Sequence, residues 1–169
     1  MTTDNTVTIR PAGREDVCAL HAMVQELAQA LELPDQARGT AEDFLKYGFG
    51  ENPVFNALIA ERGKQAVGMC TYFTIFSTWS GRPGVFVLDL FISENQRGSG
   101  LGEMLLAKVA NMGRERGAAF LRLSVDNHNE RGQAFYRRIG FTAMKDECSY
   151  QINTGKFDSL AARDGENRL

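Results

Sequence analysis

The stretch from Val85 to Met112 most narrows what this chain can fold into. An apolar run over residues 85–92 leads into a turn holding Arg97 and three alternate glycines, Gly98, Gly100 and Gly102. Leu101, Leu105, Val109 and Met112 then recur at helical spacing, so the segment predicts a strand, a tight glycine loop and an amphipathic helix. Such a junction gathers backbone N–H groups and the positive end of a helix dipole at one point, which suits a phosphate. Glycine allows backbone to approach a ligand closely and lets the turn take positive φ. A glycine-capped connection would be the bland alternative, but three alternate glycines exceed what a turn requires.

The rest of the chain supplies an α/β series around that junction. Val7 and Ile9 alternate in a short first strand ended by Pro11. Val17, Leu20, Val24, Leu27 and Leu31 follow the helical rhythm up to Pro34, and Thr40 with Asp43 forms a capping box for a second helix. Residues 55–61 and 66–76 predict an antiparallel hairpin across Arg62-Gly63-Lys64. Residues 77–84 then form a loop around Trp79, and 85–92 form the central strand. A helix separates that strand from 120–125, so those two are expected to run parallel. Residues 148–152 are expected to close the sheet, with a peripheral polar tail over 153–169. The expectation is one domain over 1–169 with a core at about 7–152. Its α/β (α+β) sheet is mixed, mostly antiparallel and flanked by helices. An antiparallel hairpin before the glycine loop argues against a repeated Rossmann half.

Composition narrows the partners. A formal net charge of −2 gives no electrostatic case for nucleic acid or an anionic membrane. No apolar run approaches a membrane span, and Met1-Thr-Thr-Asp-Asn5 lacks the regions of a signal peptide. Cys18, Cys70 and Cys148 are scattered and odd in number, which suits a reduced, cytoplasmic protein. No metal is expected, because no C-x-x-C occurs and the histidines are His21 and His128 alone.

The glycine spacing separates two phosphate-binding patterns. G-x-G-x-x-G of a dinucleotide fold is not met, although Asp126 does follow the strand at 120–125 and could serve a ribose. R-x-x-G-x-G is met by Arg97, Gly100 and Gly102. Downstream, Asn129 begins a short helix with Glu130 in its first turn, Phe135 and Ile139 stand four apart, and Gly140 is placed to stop it. The Arg97 loop and the Asn129…Phe135-Tyr136-Arg-Arg-Ile-Gly140-Phe141 block together resemble the GNAT N-acetyltransferase superfamily, and the chain is expected to take the GNAT fold.

That resemblance implies acetyl-CoA as cosubstrate. It implies a pyrophosphate held by Arg97, Gly98, Ser99, Gly100, Leu101 and Gly102. It also implies a pantetheine arm paired with backbone of the Leu90-Phe91-Ile92 stretch, Leu90 and Ile92 above all, and bonded by Asn129. The Ile92 N–H would polarise the thioester carbonyl, and Tyr136 would protonate the departing thiolate, which a phenol of pKa about 10 can do at neutral pH. Asp89, a carboxylate inside an apolar strand, needs either a structural partner such as an arginine or a place in a substrate cleft. Buried acids concentrate at sites, so it joins Tyr136 as a catalytic candidate.

Within the superfamily the N-terminal half is most similar to the diamine branch, the spermidine/spermine and thialysine acetyltransferases. Ile9-Arg10-Pro11-Ala12, Tyr47 to Pro53, Tyr72-Phe73-Thr74 and Trp79-Ser80-Gly81 carry the likeness. Two acids of that branch are absent: Leu88 stands where its strand carries Glu beside the Asp, and Ser77-Thr78 precede the loop tryptophan. The resemblance therefore implies acetylation of a primary amine of a small molecule (a diamine, polyamine or lysine-like amine), while the two missing acids predict spermidine to be a poorer acceptor than a lysine or thialysine analogue. It also implies an acyltransferase of EC 2.3.1 type and a homodimer. A silent CoA-sensing module, acetylation of a protein amine and a nicotinamide-dependent oxidoreductase are the competing readings.

Overall fold

The computed structural model describes residues 6–145 and 147–166. Contacts divide the chain into two compact units, Met1–Ala134 and Phe135–Leu169.

The first unit is built on a five-stranded sheet in the order β1-β2-β3-β4-β5. Its strands are β1 (Val7–Pro11), β2 (Asn56–Arg62), β3 (Gln65–Ser77), β4 (Arg82–Ile92) and β5 (Leu121–Leu123). The first three pairings are antiparallel, and β4 pairs β5 in parallel across α3 (Leu101–Glu115). The sheet is thus mixed and mostly antiparallel. Its middle strand is β3; β4, expected at the centre, lies one strand in from the edge because β5 follows it and no sixth strand is present among the described residues.

Two helices cover one face. α1 (Val17–Ala30) and α2 (Ala41–Phe49) enclose a cluster of Leu20, Met23, Ala57, Ile59, Met69 and Phe91, joined by Phe44 and Phe49. α2 starts as its sequence predicts. Thr40 Oγ1 accepts the Asp43 N–H at 3.1 Å and Asp43 Oδ2 accepts the Thr40 N–H at 2.9 Å. The opposite face takes α3, through buried Leu101, Leu105, Leu106 and Val109. At Gly113 a Cβ would come within 2.9 Å of Val85 Cγ2, so the missing side chain sets how closely α3 approaches the sheet.

Arg10 on β1 fastens this unit near its start. Its guanidinium donates to Asp16 at 2.7 and 2.9 Å and to Glu61 on β2 at 2.7 and 3.0 Å. The paired guanidinium holds the Asp16 carboxyl below the usual range, against the opposing effect of burial.

The second unit begins inside α4 (Glu130–Arg138). Gly140, at φ 103°, ends that helix: its N–H reaches Arg137 O at 3.1 Å and the Phe141 N–H reaches Tyr136 O at 2.9 Å. This double closure is the Schellman arrangement, and it fixes Phe141 beside the last turn. The strand expected over 148–152 does not form; that segment takes no place in the sheet. Cys148, Tyr150 and Ile152 do alternate, but alternation makes a strand only where a partner offers its ladder. The tail expected to be peripheral carries α5 (Thr154–Glu166), a helix its polar sequence did not announce, opened by Asn153 O accepting the Lys156 and Phe157 N–H groups. Phe157, Leu160 and Ala161 carry helical spacing within its polar sequence.

Candidate active site

The parallel pairing of β4 with β5 lasts for only three residues. Val85, Phe86 and Val87 face Leu121, Arg122 and Leu123, and there the ladder ends. On its other side β4 stays paired with β3 as far as Ile92. Residues 88–92 of β4 therefore have no partner towards β5, while 89–92 stay paired with β3.

Which backbone groups face that opening follows from one irregularity. The β3–β4 register slips between Thr71 and Tyr72, where Tyr72 pairs with Val87 but Thr71 pairs with Asp89, leaving Leu88 as an extra residue in a bulge. Before the bulge, the Val85 N–H points towards β5 and donates to Phe120 O at 3.0 Å. After it, the Asp89 N–H turns to β3, donating to Thr71 Oγ1 at 3.1 Å, and the Ser93 N–H reaches Val67 O at 3.0 Å. Alternation then directs the N–H and C=O groups of Leu90 and Ile92 into the opening, and those of Phe91 to β3. The Phe91 side chain is buried under α1.

The same strand runs on into the glycine loop. Gly98 and Gly100 take φ of 81° and 82°, and a Cβ on either would meet nothing within 4 Å. Their glycine requirement is thus conformational, and open space lies in front of both. Gly100 is the N-cap of α3, and Leu101 and Gly102 occupy the first turn, where N–H groups lack intrahelical acceptors. Arg97 is exposed and its Nε donates to Ile92 O at 3.2 Å, tying the loop to the end of β4. Ser99 Oγ donates to Gln96 O at 2.7 Å, which braces the turn. Leu90 to Gly102 thus form one continuous strand, loop and helix start around the opening.

Among the described residues Asp89 finds no arginine, and it is half-buried rather than sealed. Its Oδ2 accepts the Thr71 hydroxyl at 2.9 Å, while burial raises its carboxyl pKa and that hydrogen bond partly offsets the rise. Thr71, buried at 2% exposure, was not among the sequence candidates. Its signal was a hydroxyl inside an apolar strand, but only the bulged register sets it opposite Asp89. Cys70 is buried next to this pair, and burial, with a smaller contribution from the Asp89 charge, pushes its thiol up to about 12, so it stays protonated.

Asn129 caps α4, its Oδ1 accepting the Gly132 N–H at 2.8 Å. Asp126 is turned inward on its own loop, accepting the His128 N–H at 2.7 Å and facing His128 Nδ1 at 3.1 Å. The His128 backbone bond is the main cause that keeps its carboxyl below the usual range. In the second unit, the Tyr136 ring sits edge-on to Phe135 at 5.0 Å and to Phe141 at 5.6 Å, so its orientation follows from the helix end at Gly140. His21 bonds Gly39 O at 2.9 Å and packs against Phe44, a structural role. Among the described residues no cluster of three or more His, Cys, Asp or Glu side chains could hold a metal, and no helix is long and apolar enough to cross a membrane.

Known proteins bear on this geometry. A family model described as Acetyltransferase (GNAT) family matches residues 20–141. The thialysine N-epsilon-acetyltransferase of Mus musculus is 34% identical over 166 residues, covering 92% of this chain and 97% of its own. The spermidine/spermine N(1)-acetyltransferase-like protein 1 of Homo sapiens is 31% identical over 111 residues, 62% of this chain and 16% of that protein. Among solved structures, an integron cassette protein from the mobile metagenome of V. cholerae superposes with a TM-score of 0.78 at 22% identity, covering 92% and 97% of the two chains. An aminoglycoside acetyltransferase from an uncultured soil sample gives 0.73 at 18% identity, covering 89% and 98%. With the family model spanning most of its length and a full-length relative at one-third identity, this chain belongs to the GNAT acetyltransferase family.

Proposed function

We propose that the chain moves the acetyl group of acetyl-CoA directly to the primary amine of a small, lysine-like molecule. The observation that carries this is the β4 edge at residues 88–92, where the Leu90 peptide groups and the Ile92 N–H open onto a gap that leads straight to the glycine loop. An extended amide-bearing arm is the ligand such an edge suits, as an added strand. A pyrophosphate suits the loop, with its α3 N-terminus and Arg97. The residues present fit acetyl-CoA, with Leu90, Phe91, Ile92, Arg97, Gly98, Ser99, Gly100, Leu101, Gly102 and Asn129 as its binding set.

The reaction follows from acid and base needs. An alkylammonium of pKa about 10 must lose a proton before it can attack. Asp89 takes that proton through water, helped by burial that raises its basicity. The neutral amine attacks the thioester carbonyl, the Ile92 N–H stabilises the oxyanion, and Tyr136 protonates the leaving sulfur. The names of the thialysine relatives and the loss of two acids at Leu88 and Ser77-Thr78 favour a lysine-like acceptor over a polyamine. We read residues 1–169 as one catalytic domain acting as a cytoplasmic homodimer, without a metal, nucleic acid or membrane partner.

Free-thiol release from acetyl-CoA across an amine panel tests this reading. Thialysine or lysine should exceed spermidine in kcat/KM. Spermidine emerging as the best acceptor by a wide margin would move the selecting carboxylates elsewhere. Binding of acetyl-CoA with no thiol release for any amine would make the chain a silent CoA-binding module.

A further inference from the structure

One face of β3 and β4 changes character along its length. The register pairs Met69 with Phe91, Thr71 with Asp89, and Phe73 with Phe86. Alternation along β3 carries Met69, Thr71 and Phe73 to the face that α1 covers, and the bulge at Leu88 brings Phe86 and Asp89 to that same face. The first pair is sealed beneath α1, at 0% and 3% exposure. The third pair lies outside that cluster: Phe73 and Phe86 are half-buried, with ring centroids 5.3 Å apart and planes tilted by 31°. Asp89 stands where the covered face gives way to the aromatic one.

Its carboxylate is only half satisfied. Thr71 takes Oδ2. Among the described residues Oδ1 accepts no bond while every fully buried side-chain oxygen has a partner, so Oδ1 reaches the surface. No neighbouring cation contributes to its pKa, whose causes are burial and Thr71 alone. A half-buried carboxylate with one open oxygen calls for an ammonium group, and two rings beside it call for an apolar arm bearing that ammonium.

We infer that Phe73 and Phe86 form the wall of the acceptor subsite, holding the aliphatic arm of a substrate whose reacting ammonium faces Asp89 Oδ1. This deepens the acetyl-transfer reading and rests on it. One carboxylate compensates one charge, so a second ammonium within the arm would lie against the rings without a counter-charge. Chain length is then read by apolar contact with the wall, while acetyl-CoA binds on the β4 edge and does not depend on it.

Straight-chain primary amines from propylamine to hexylamine provide the test on the full chain. For the parent, kcat/KM should rise about threefold to fourfold per added methylene, the usual worth of a buried CH₂. Phe73→Ala and Phe86→Ala should flatten that slope towards no dependence on length, with the KM for acetyl-CoA unchanged. Phe86→Leu, which keeps the fold if alanine does not, should give an intermediate slope. An unchanged slope in these variants, or a parent that acetylates amines without regard to arm length, would overturn the inference. Failure of the parent to acetylate any amine would instead overturn the acetyl-transfer reading itself.

Discussion

Arg97 offers the sharpest check on the glycine loop, because its guanidinium divides into two parts. Nε is used within the protein, on Ile92 O at 3.2 Å, and the remaining nitrogens carry the charge outward from an exposed loop. Arg97→Lys keeps a charge and loses the bond to Ile92, a loss of about 0.5–1.5 kcal/mol, or roughly twofold to tenfold in acetyl-CoA affinity. Arg97→Gln loses the charge as well; a charge-assisted bond is worth about 1.5–3 kcal/mol, so affinity should fall roughly 10- to 150-fold. Arg97→Glu adds a carboxylate near the pyrophosphate, and at about 5 Å in a water-like dielectric that repulsion adds about 0.8 kcal/mol, roughly fourfold more. Calorimetric titration of acetyl-CoA at low and high salt measures the series, and salt should narrow the gap between Lys and Glu. Acetyl-pantetheine, which lacks the pyrophosphate, serves as the control and should bind the Lys, Gln and Glu variants alike. Parent-like acetyl-CoA affinity in the Glu variant, or an equal loss for acetyl-pantetheine, would refute the assignment of this loop to phosphate.

Tyr136→Phe keeps the ring between Phe135 and Phe141 but removes the proton; kcat at saturating amine should fall about 10²–10⁴-fold with little change in melting temperature, and turnover within about twofold of the parent would remove Tyr136 from the catalytic set. Asp89→Asn should lower kcat/KM yet stabilise the protein as pH rises. Burial raises the folded pKa of Asp89, so its contribution to stability is complete below the unfolded value of about 3.9 and is lost as pH climbs through the folded one. The melting-temperature advantage of the Asn variant should therefore grow from acid to neutral pH, and a difference that is flat or shrinks over that range would contradict the burial. Gly100→Ala meets no atom within 4 Å but must hold φ near 82°, so it should cost about 1–2 kcal/mol in denaturant unfolding; a much larger loss would mean a clash rather than backbone strain.

Local signals were legible in the sequence wherever the cause was local. The Thr40–Asp43 capping box, the glycine stop at Gly140 and the buried stripe of α3 each depend on residues a few positions apart, and each stands as its spacing predicts. The superfamily was legible for the same reason, since its two motifs are short and contiguous. What depended on pairing was hidden. No pattern in residues 85–92 announces that one residue, Leu88, is extra, and the bulge decides both the Thr71 partner of Asp89 and which peptide groups face the gap. Residues 148–152 show the converse, a strand-like alternation for which no ladder partner exists among the described residues. The α5 helix was overlooked because polarity outweighed its apolar spacing.

The three-residue ladder between β4 and β5 also bears on the life of the protein between turnovers. A strand edge with free amides is a template for any extended chain, and proteins usually shield such edges. Here the shield would be the cosubstrate itself, present only while bound. Occupancy would then govern persistence as well as catalysis: a ligand at about one hundred times its dissociation constant adds about 2.7 kcal/mol to the folded state. A cell short of acetyl-CoA would hold this protein with a seam in its sheet unclosed, exposed to proteases and to the edges of its neighbours.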